Sequence, residues 1–143
     1  MHSGGDEMDQ MTTWSHSVSL AAEPASVARA RDFVCAHLVT HSLRYLVNDV
    51  RLVTSELATN AIEHARTPFD VSLERSGHSV RLTVQDSSSS TPQLVLVDSL
   101  ALGGRGLLIV QQLSSDWGVD TSATGAKSVW ACFPTGRTMD PIW

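Results

Sequence analysis

Glu56 and Asn60 lie four residues apart in the stretch Ser55-Glu-Leu-Ala-Thr-Asn60-Ala-Ile-Glu-His64, inside the longest helix-like segment of the chain. That spacing puts a carboxylate and a carboxamide on one helical face. The same segment carries an apolar stripe of Leu46, Val50, Val53, Leu57 and Ala61. At about 100° per residue the polar pair falls beside this stripe, not opposite it. Polar groups so near a core need a partner, and a hydrated metal ion with a polyphosphate would supply one. Two further polar signals follow. Asp86 ends an apolar strand pattern, just before four consecutive serines. Gly103-Gly104-Arg105-Gly106 then opens an apolar helical segment from Leu107 to Leu113. The free N–H groups and the dipole of such a helix start suit a phosphate, although glycine clusters also cap ordinary helices. No Gly-Lys-Ser/Thr follows, so this is not a P-loop. The cluster also follows a loop instead of a strand, unlike a dinucleotide fingerprint.

The elements that must position these residues can be read from period and punctuation. Residues 14–21 alternate as a strand, and Pro24 then sits where a first helical turn tolerates it. A helix over 25–39 runs through Val27, Ala30, Val34 and Leu38. After a break at 40–45, a second helix spans 46–65 and Pro68 stops it. Two alternating runs, 69–74 and 79–86, flank Arg75-Ser-Gly-His78 and read as a β-hairpin. Residues 93–103 have no clean period and read as a mobile loop. Strands at 117–121 and 128–133 close the chain. The order β-α-α-β-β-loop-α-β-β predicts an α+β fold, a two-layer sandwich with one mixed, mostly antiparallel sheet and helices on one face. Residues 13–134 form a single domain on this reading. Residues 1–12 are read as a disordered tail and 135–143 as a loose one.

Composition narrows the function classes. The 143 residues match one ordinary domain, 42% apolar and 17% charged, enough for a core and too weakly charged for disorder. A net charge of −5, without a basic run, lacks the electrostatic footprint of a nucleic-acid binder. No apolar run is long enough to cross a bilayer and no signal peptide is evident, so the cytoplasm is the expected compartment. Cys35 and Cys132 read as buried thiols, with a disulfide left open. No zinc site is expected from the six histidines at 2, 16, 37, 41, 64 and 78.

In order and separation, the three polar signals resemble the ATP-binding domain of the GHKL superfamily. The likeness is greatest to its small stand-alone branch, anti-sigma factors that are also serine protein kinases of the RsbW and SpoIIAB type. The resemblance covers roughly residues 14–133. It is carried by Glu-Leu-Ala-Thr-Asn-Ala-Ile-Glu-His (56–64), Gly-Gly-Arg-Gly-Leu-Leu-Ile-Val (103–110) and Trp-Gly-Val with Gly-Ala-Lys-Ser-Val-Trp (117–130). It implies a Bergerat-type ATP-binding fold.

The resemblance also implies roles. Asn60 matches the asparagine that binds Mg2+, and Glu56 the glutamate taken as the base accepting a proton from water or a serine hydroxyl. Asp86 matches the aspartate that accepts a hydrogen bond from the adenine amino group. Gly103, Gly104, Arg105, Gly106 and Leu107 match the segment whose backbone approaches the phosphates, Arg105 adding charge. Residues 87–103 would be the lid over the nucleotide. Ser128 stands where relatives have a threonine near the adenine and Asp86. The implied cofactors are ATP and Mg2+. The implied partners are a sigma factor and a STAS-type antagonist phosphorylated on serine, with neither nucleic acid nor membrane, and the chain is expected to pair as a homodimer through its N-terminal sheet region. One departure stands out. Relatives read Asp-x-Gly-x-Gly where this chain reads Asp86-Ser-Ser-Ser-Ser, so the glycine freedom for positive φ is missing. A non-catalytic protein-interaction switch with weak or no nucleotide binding is the alternative. Plainer roles also stand beside these: Glu56 as a solvated residue, Asn60 as a cap, Asp86 as the start of an Asx turn, Arg105 as a surface residue, His64 as a satisfied partly buried histidine, and Trp117 and Trp130 as core or edge aromatics.

Overall fold

Alternation along the strands builds the sheet. The computed structural model describes residues 13–87, 105–123 and 125–136. In Trp14–Leu20 (β1) the serines at 15, 17 and 19 are exposed, while Trp14, His16, Val18 and Leu20 turn inward. Phe69–Ser76 (β2) buries Phe69, Val71 and Leu73, and Ser79–Asp86 (β3) buries Val80, Leu82, Val84 and Asp86. Gly77 takes φ +63° at the tip of the β2–β3 hairpin, a conformation that glycine adopts without a Cβ penalty. Asp116–Thr121 (β4) and Lys127–Pro134 (β5) complete the sheet. Its order is β1-β2-β3-β5-β4, with every neighbouring pair antiparallel. The described sheet is therefore more uniform than the mixed one expected.

Among the described residues, three helices cover the inward face. Ala25–Thr40 (α1) buries Ser26, Ala30, Val34 and Leu38 at intervals of four. Val47–Asn60 (α2) buries Val50, Val53, Thr54, Leu57 and Ala58. Arg105–Leu113 (α3) sends Leu107 and Val110 into the core. α1 packs on β1 and β2, and α2 packs on β3 and β5. α3 packs on α2 and β4, so α2 lies between the other two helices.

The second helix departs from the regular 46–65 segment expected. A 3-10 turn at Arg44–Leu46 precedes it, and a π turn at Ala61–Ala65 follows it. Arg66 donates its N–H to the Ala61 carbonyl at 3.2 Å, five residues back, and adopts φ +59°. This widened turn begins directly after Asn60. Such turns are frequent at functional sites.

Of the tail expected at 135–143, only residues 135 and 136 are described, and 137–143, like residues 1–12 of the expected N-terminal tail, lie outside the described residues. Thr135 is buried. Its N–H donates to the His78 carbonyl at 2.8 Å, and its own carbonyl accepts from the Tyr45 hydroxyl. Thr135 is thus tied to the hairpin tip and to the 3-10 turn that precedes α2. Cys35 and Cys132 are both free and half-buried, not fully buried. Among the described residues no helix is long and apolar enough to cross a membrane.

On the outer face of the sheet, the Trp130 ring lies under the Arg81 guanidinium, 4.2 Å from the ring centroid, a cation–π arrangement. Gly118 faces Trp130 across the β4–β5 pair. A Cβ at position 118 would meet Trp130 Cζ2 at 2.5 Å. Gly118→Ala should therefore displace the indole and cost about 1–3 kcal/mol. The urea midpoint of the variant checks this, and a midpoint equal to that of the unmodified protein would contradict it.

Candidate functional site

The helical wheel of α2 sorts its polar residues onto two flanks. Asn48, Arg51 and Ser55 face α1, where Arg31 Nη1 approaches Ser55 Oγ at 3.4 Å. Glu56 and Asn60 lie on the other side of the buried stripe, the flank turned towards α3. Both are half-buried, and no described group hydrogen-bonds or ion-pairs with either. His64 continues the same flank, half-buried, within the π turn. A carboxamide oxygen so placed suits a hard cation such as Mg2+, which accepts few protein ligands and keeps water and phosphate oxygens. The carboxylate one turn away could take a proton from a hydroxyl held beside that cation.

Asp86 is buried because β3 alternates: after Val80, Leu82 and Val84, position 86 must point inward as well. Its relative exposure is 2%. A carboxylate so enclosed needs a counter-charge, and Lys127 provides it. Lys127 is the register partner of Asp86 across the β3–β5 pair, with Nζ 3.4 Å from Asp86 Oδ2 and a side chain only 4% exposed. An ionised carboxylate offers about four lone-pair directions, so this contact does not exhaust its capacity to accept.

Ser128 does not join Asp86. It lies one residue from Lys127, so its side chain leaves the opposite face of the sheet, where Oγ donates to Gln85 Oε1 at 3.1 Å. The expectation that it stands by Asp86 is corrected by this parity, and Lys127 takes the place. Sequence reasoning missed Lys127, although the signal was present: if Val129, Ala131 and Phe133 turn inward, so must residue 127.

At the third part of the site, α3 begins at Arg105, two residues before the start expected, with Gly106 in its first turn. Leu107 is a core side chain, 4% exposed, so only its backbone could serve a ligand. The first N–H groups of this helix lack intrahelical acceptors and are suited to anionic oxygen. Gly103, Gly104 and residues 88–103 of the expected lid lie outside the described residues. Ser87, at the lid's start, donates its N–H to Thr67 Oγ1 at 3.2 Å. Two concavities among the described residues lie on the α1 side of α2. One of about 510 Å³ is lined by Arg31, Asn48, Arg51, Leu52 and Ser55, and one of about 220 Å³ by Pro24, Val27, Thr59, Ile62 and Glu63. Neither includes Glu56, Asn60 or Asp86.

Comparison with known proteins decides what kind of fold carries this arrangement. The model of the histidine kinase-like ATPase domain matches residues 20–133. The chain belongs to that family. The match encloses α2, the end of β3, α3 and the β4–β5 hairpin. No curated protein sequence matches the chain. Among solved structures, one similar chain holds the RsbU and RsbW domains of a Mycobacterium tuberculosis protein. It superposes with a TM-score of 0.67 at 18% identity, covering 91% of this chain and 35% of that one. The chain thus spans about a third of the length of that solved chain, and the likeness is one of fold. As a histidine kinase-like ATPase domain it is an ATP-binding module of the GHKL type with an α+β fold.

Proposed function

We propose that this domain binds ATP with Mg2+ on the α3-facing flank of α2, transfers phosphate to a serine of an antagonist protein, and acts as an anti-sigma factor. The observation that carries the proposal is the joint placement of Glu56 and Asn60 beside α3, with buried Asp86 at the end of the strand beneath α2. Asn60 Oδ1 holds the cation. Asp86 accepts from the adenine amino group, an interaction that the six-position oxygen of guanine cannot make. The first amides of α3, from Arg105 and Gly106 onward, face the phosphates, together with Gly103 and Gly104. Glu56 accepts the proton of the attacking serine hydroxyl. When bound, Mg2+ offsets the charge that develops on the transferring group.

The partners on this reading are a sigma factor, held away from RNA polymerase, and a STAS-type antagonist whose unphosphorylated form displaces it. The neighbour bearing an RsbW domain supports this partner class. β1 lies at the sheet edge and is the N-terminal region through which two copies would pair. The setting is the cytoplasm. Incubation with radiolabelled ATP, Mg2+ and candidate antagonist proteins tests the reading. Label on an antagonist serine is expected. ATP binding without transfer to any candidate would count against the kinase half.

A second reading has its own support. Lys127 already engages Asp86, and serines occupy 88 and 90, the positions where the resemblance implies glycines. Both weaken an adenine pocket and favour a protein-interaction switch with little nucleotide affinity.

A further inference from the structure

The proposed function leaves unused a cluster of three imidazoles at the opposite end of the helical layer. His16 comes from β1, His37 from the last turn of α1, and His41 from the residue that caps that helix. His37 and His41 are four apart, an HxxxH spacing that places both on one helical face. No zinc site was expected from the six histidines, yet His37-Leu-Val-Thr-His41 carries this spacing. The coordinating nitrogens of all three lie within 4.8 Å of one another, and all three rings are half-buried. His16 Nε2 and His41 Nε2 are 3.0 Å apart, whereas two nitrogens on a tetrahedral zinc stand roughly 3.3 Å apart, given Zn–N bonds near 2.0–2.1 Å.

We propose that His16, His37 and His41 form a divalent transition-metal site, selective for zinc-like ions, that clamps the edge strand β1 to the end of α1. Imidazole suits Zn2+, Ni2+ and Cu2+, while the hard ions Mg2+ and Ca2+ require oxygen ligands, which this cluster lacks. The surroundings are those of a built site. Trp14 stacks on His41 at 4.0 Å, and Phe33 meets His37 edge-on at 4.7 Å, so aromatic walls fix two of the three rings. The His16 and His37 rings stack at 3.7 Å and must rotate apart modestly for both lone pairs to converge. In the metal-free cluster one Nε2 donates its proton to the other. On metal binding that proton moves to Nδ1 of its own ring, three nitrogen–metal bonds form, and water fills the fourth position.

Burial, and after it the neighbouring cationic groups, favours neutral rings at His37 and His41. Burial, then His16 and His41, hold His37 below the ordinary histidine range. Burial, then His16 and the Arg75 guanidinium from β2, do the same for His41. Arg75 opposes any added cation, but its own bonds to the Gly77 carbonyl and to Thr135 Oγ1 turn the guanidinium towards the hairpin tip. Both rings bind protons more readily in the unfolded chain, so the stability they contribute is complete above about pH 6.5 and declines as pH falls below that value. Metal affinity should weaken in the same direction, as protons compete for the lone pairs.

The test is calorimetric titration of the untagged full chain with ZnCl2 at pH 7.5. One equivalent should bind with micromolar or tighter affinity. His16→Gln, His37→Gln and His41→Gln should each weaken binding about tenfold or more, while His78→Gln leaves it unchanged. Should a variant fail to fold, imidazole nitrogen shifts of the unmodified protein decide. Zinc should move the signals of His16, His37 and His41 and leave His78 in place. No uptake at 100-fold excess of zinc over protein, variants that bind like the parent, or shifts confined to other histidines would each overturn the site.

Discussion

Lys127→Met should be the most damaging single substitution near the site, costing the fold about 3–5 kcal/mol. The side chain is 4% exposed and its Nζ lies 3.4 Å from Asp86, itself 2% exposed. Methionine fills similar volume, so the loss comes from removing the Lys127 charge beside the buried carboxylate and not from a cavity. Restoring neutrality should restore most of the stability: the double variant Asp86→Leu with Lys127→Met should lie near the parent, because a buried pair replaced by apolar groups of like size is often neutral or better. Guanidinium unfolding with an unchanged slope reads both effects. If the single variant loses less than about 1 kcal/mol, the pair is held by water and not by burial, and Asp86 is more accessible than its exposure indicates.

The second large effect is catalytic. Glu56→Gln keeps shape and hydrogen-bonding length but cannot accept a proton. Phosphotransfer to the antagonist should fall about 10²- to 10⁴-fold, while the ATP dissociation constant stays within about threefold of the parent. The amide is an adequate test because Glu56 is half-buried on the helix flank and packs no core position. Parallel loss of binding and transfer would assign the residue a structural role. Unchanged transfer would remove it from the mechanism.

Much of this architecture was legible because local period and global packing agree. The strands at β1, β2 and β3 alternate cleanly, and the stripe 46, 50, 53, 57, 61 states which side of α2 meets the sheet. The flank position of Glu56 and Asn60 follows from that stripe alone. What was not legible depended on contacts distant in sequence. The π turn at Ala61–Ala65 replaces ordinary helix where the chain must turn sharply through Arg66 into Pro68 and β2. Its residues, Ala-Ile-Glu-His-Ala, carry no punctuation of their own. Thr135 looked like tail because its anchors, His78 and Tyr45, lie far back in the chain. The partner of Asp86 turned on strand register. Shifting the inward set of β5 by one residue exchanges Ser128 for Lys127, and no local pattern fixes the pairing of residues 86 and 127. The histidine cluster needed the packing of β1 beneath α1 before His16 could meet the His37/His41 pair.

The central claim is that Asn60 and Asp86, on different elements, serve one nucleotide. Its most direct test is calorimetric titration of ATP into the parent protein and Asn60→Ala, each with and without Mg2+. Micromolar binding that needs Mg2+ in the parent and weakens about tenfold or more in Asn60→Ala is the expected result, a loss of about 1.4 kcal/mol or more. Identical affinity in the two proteins, or no heat with ATP up to millimolar concentration, would contradict it.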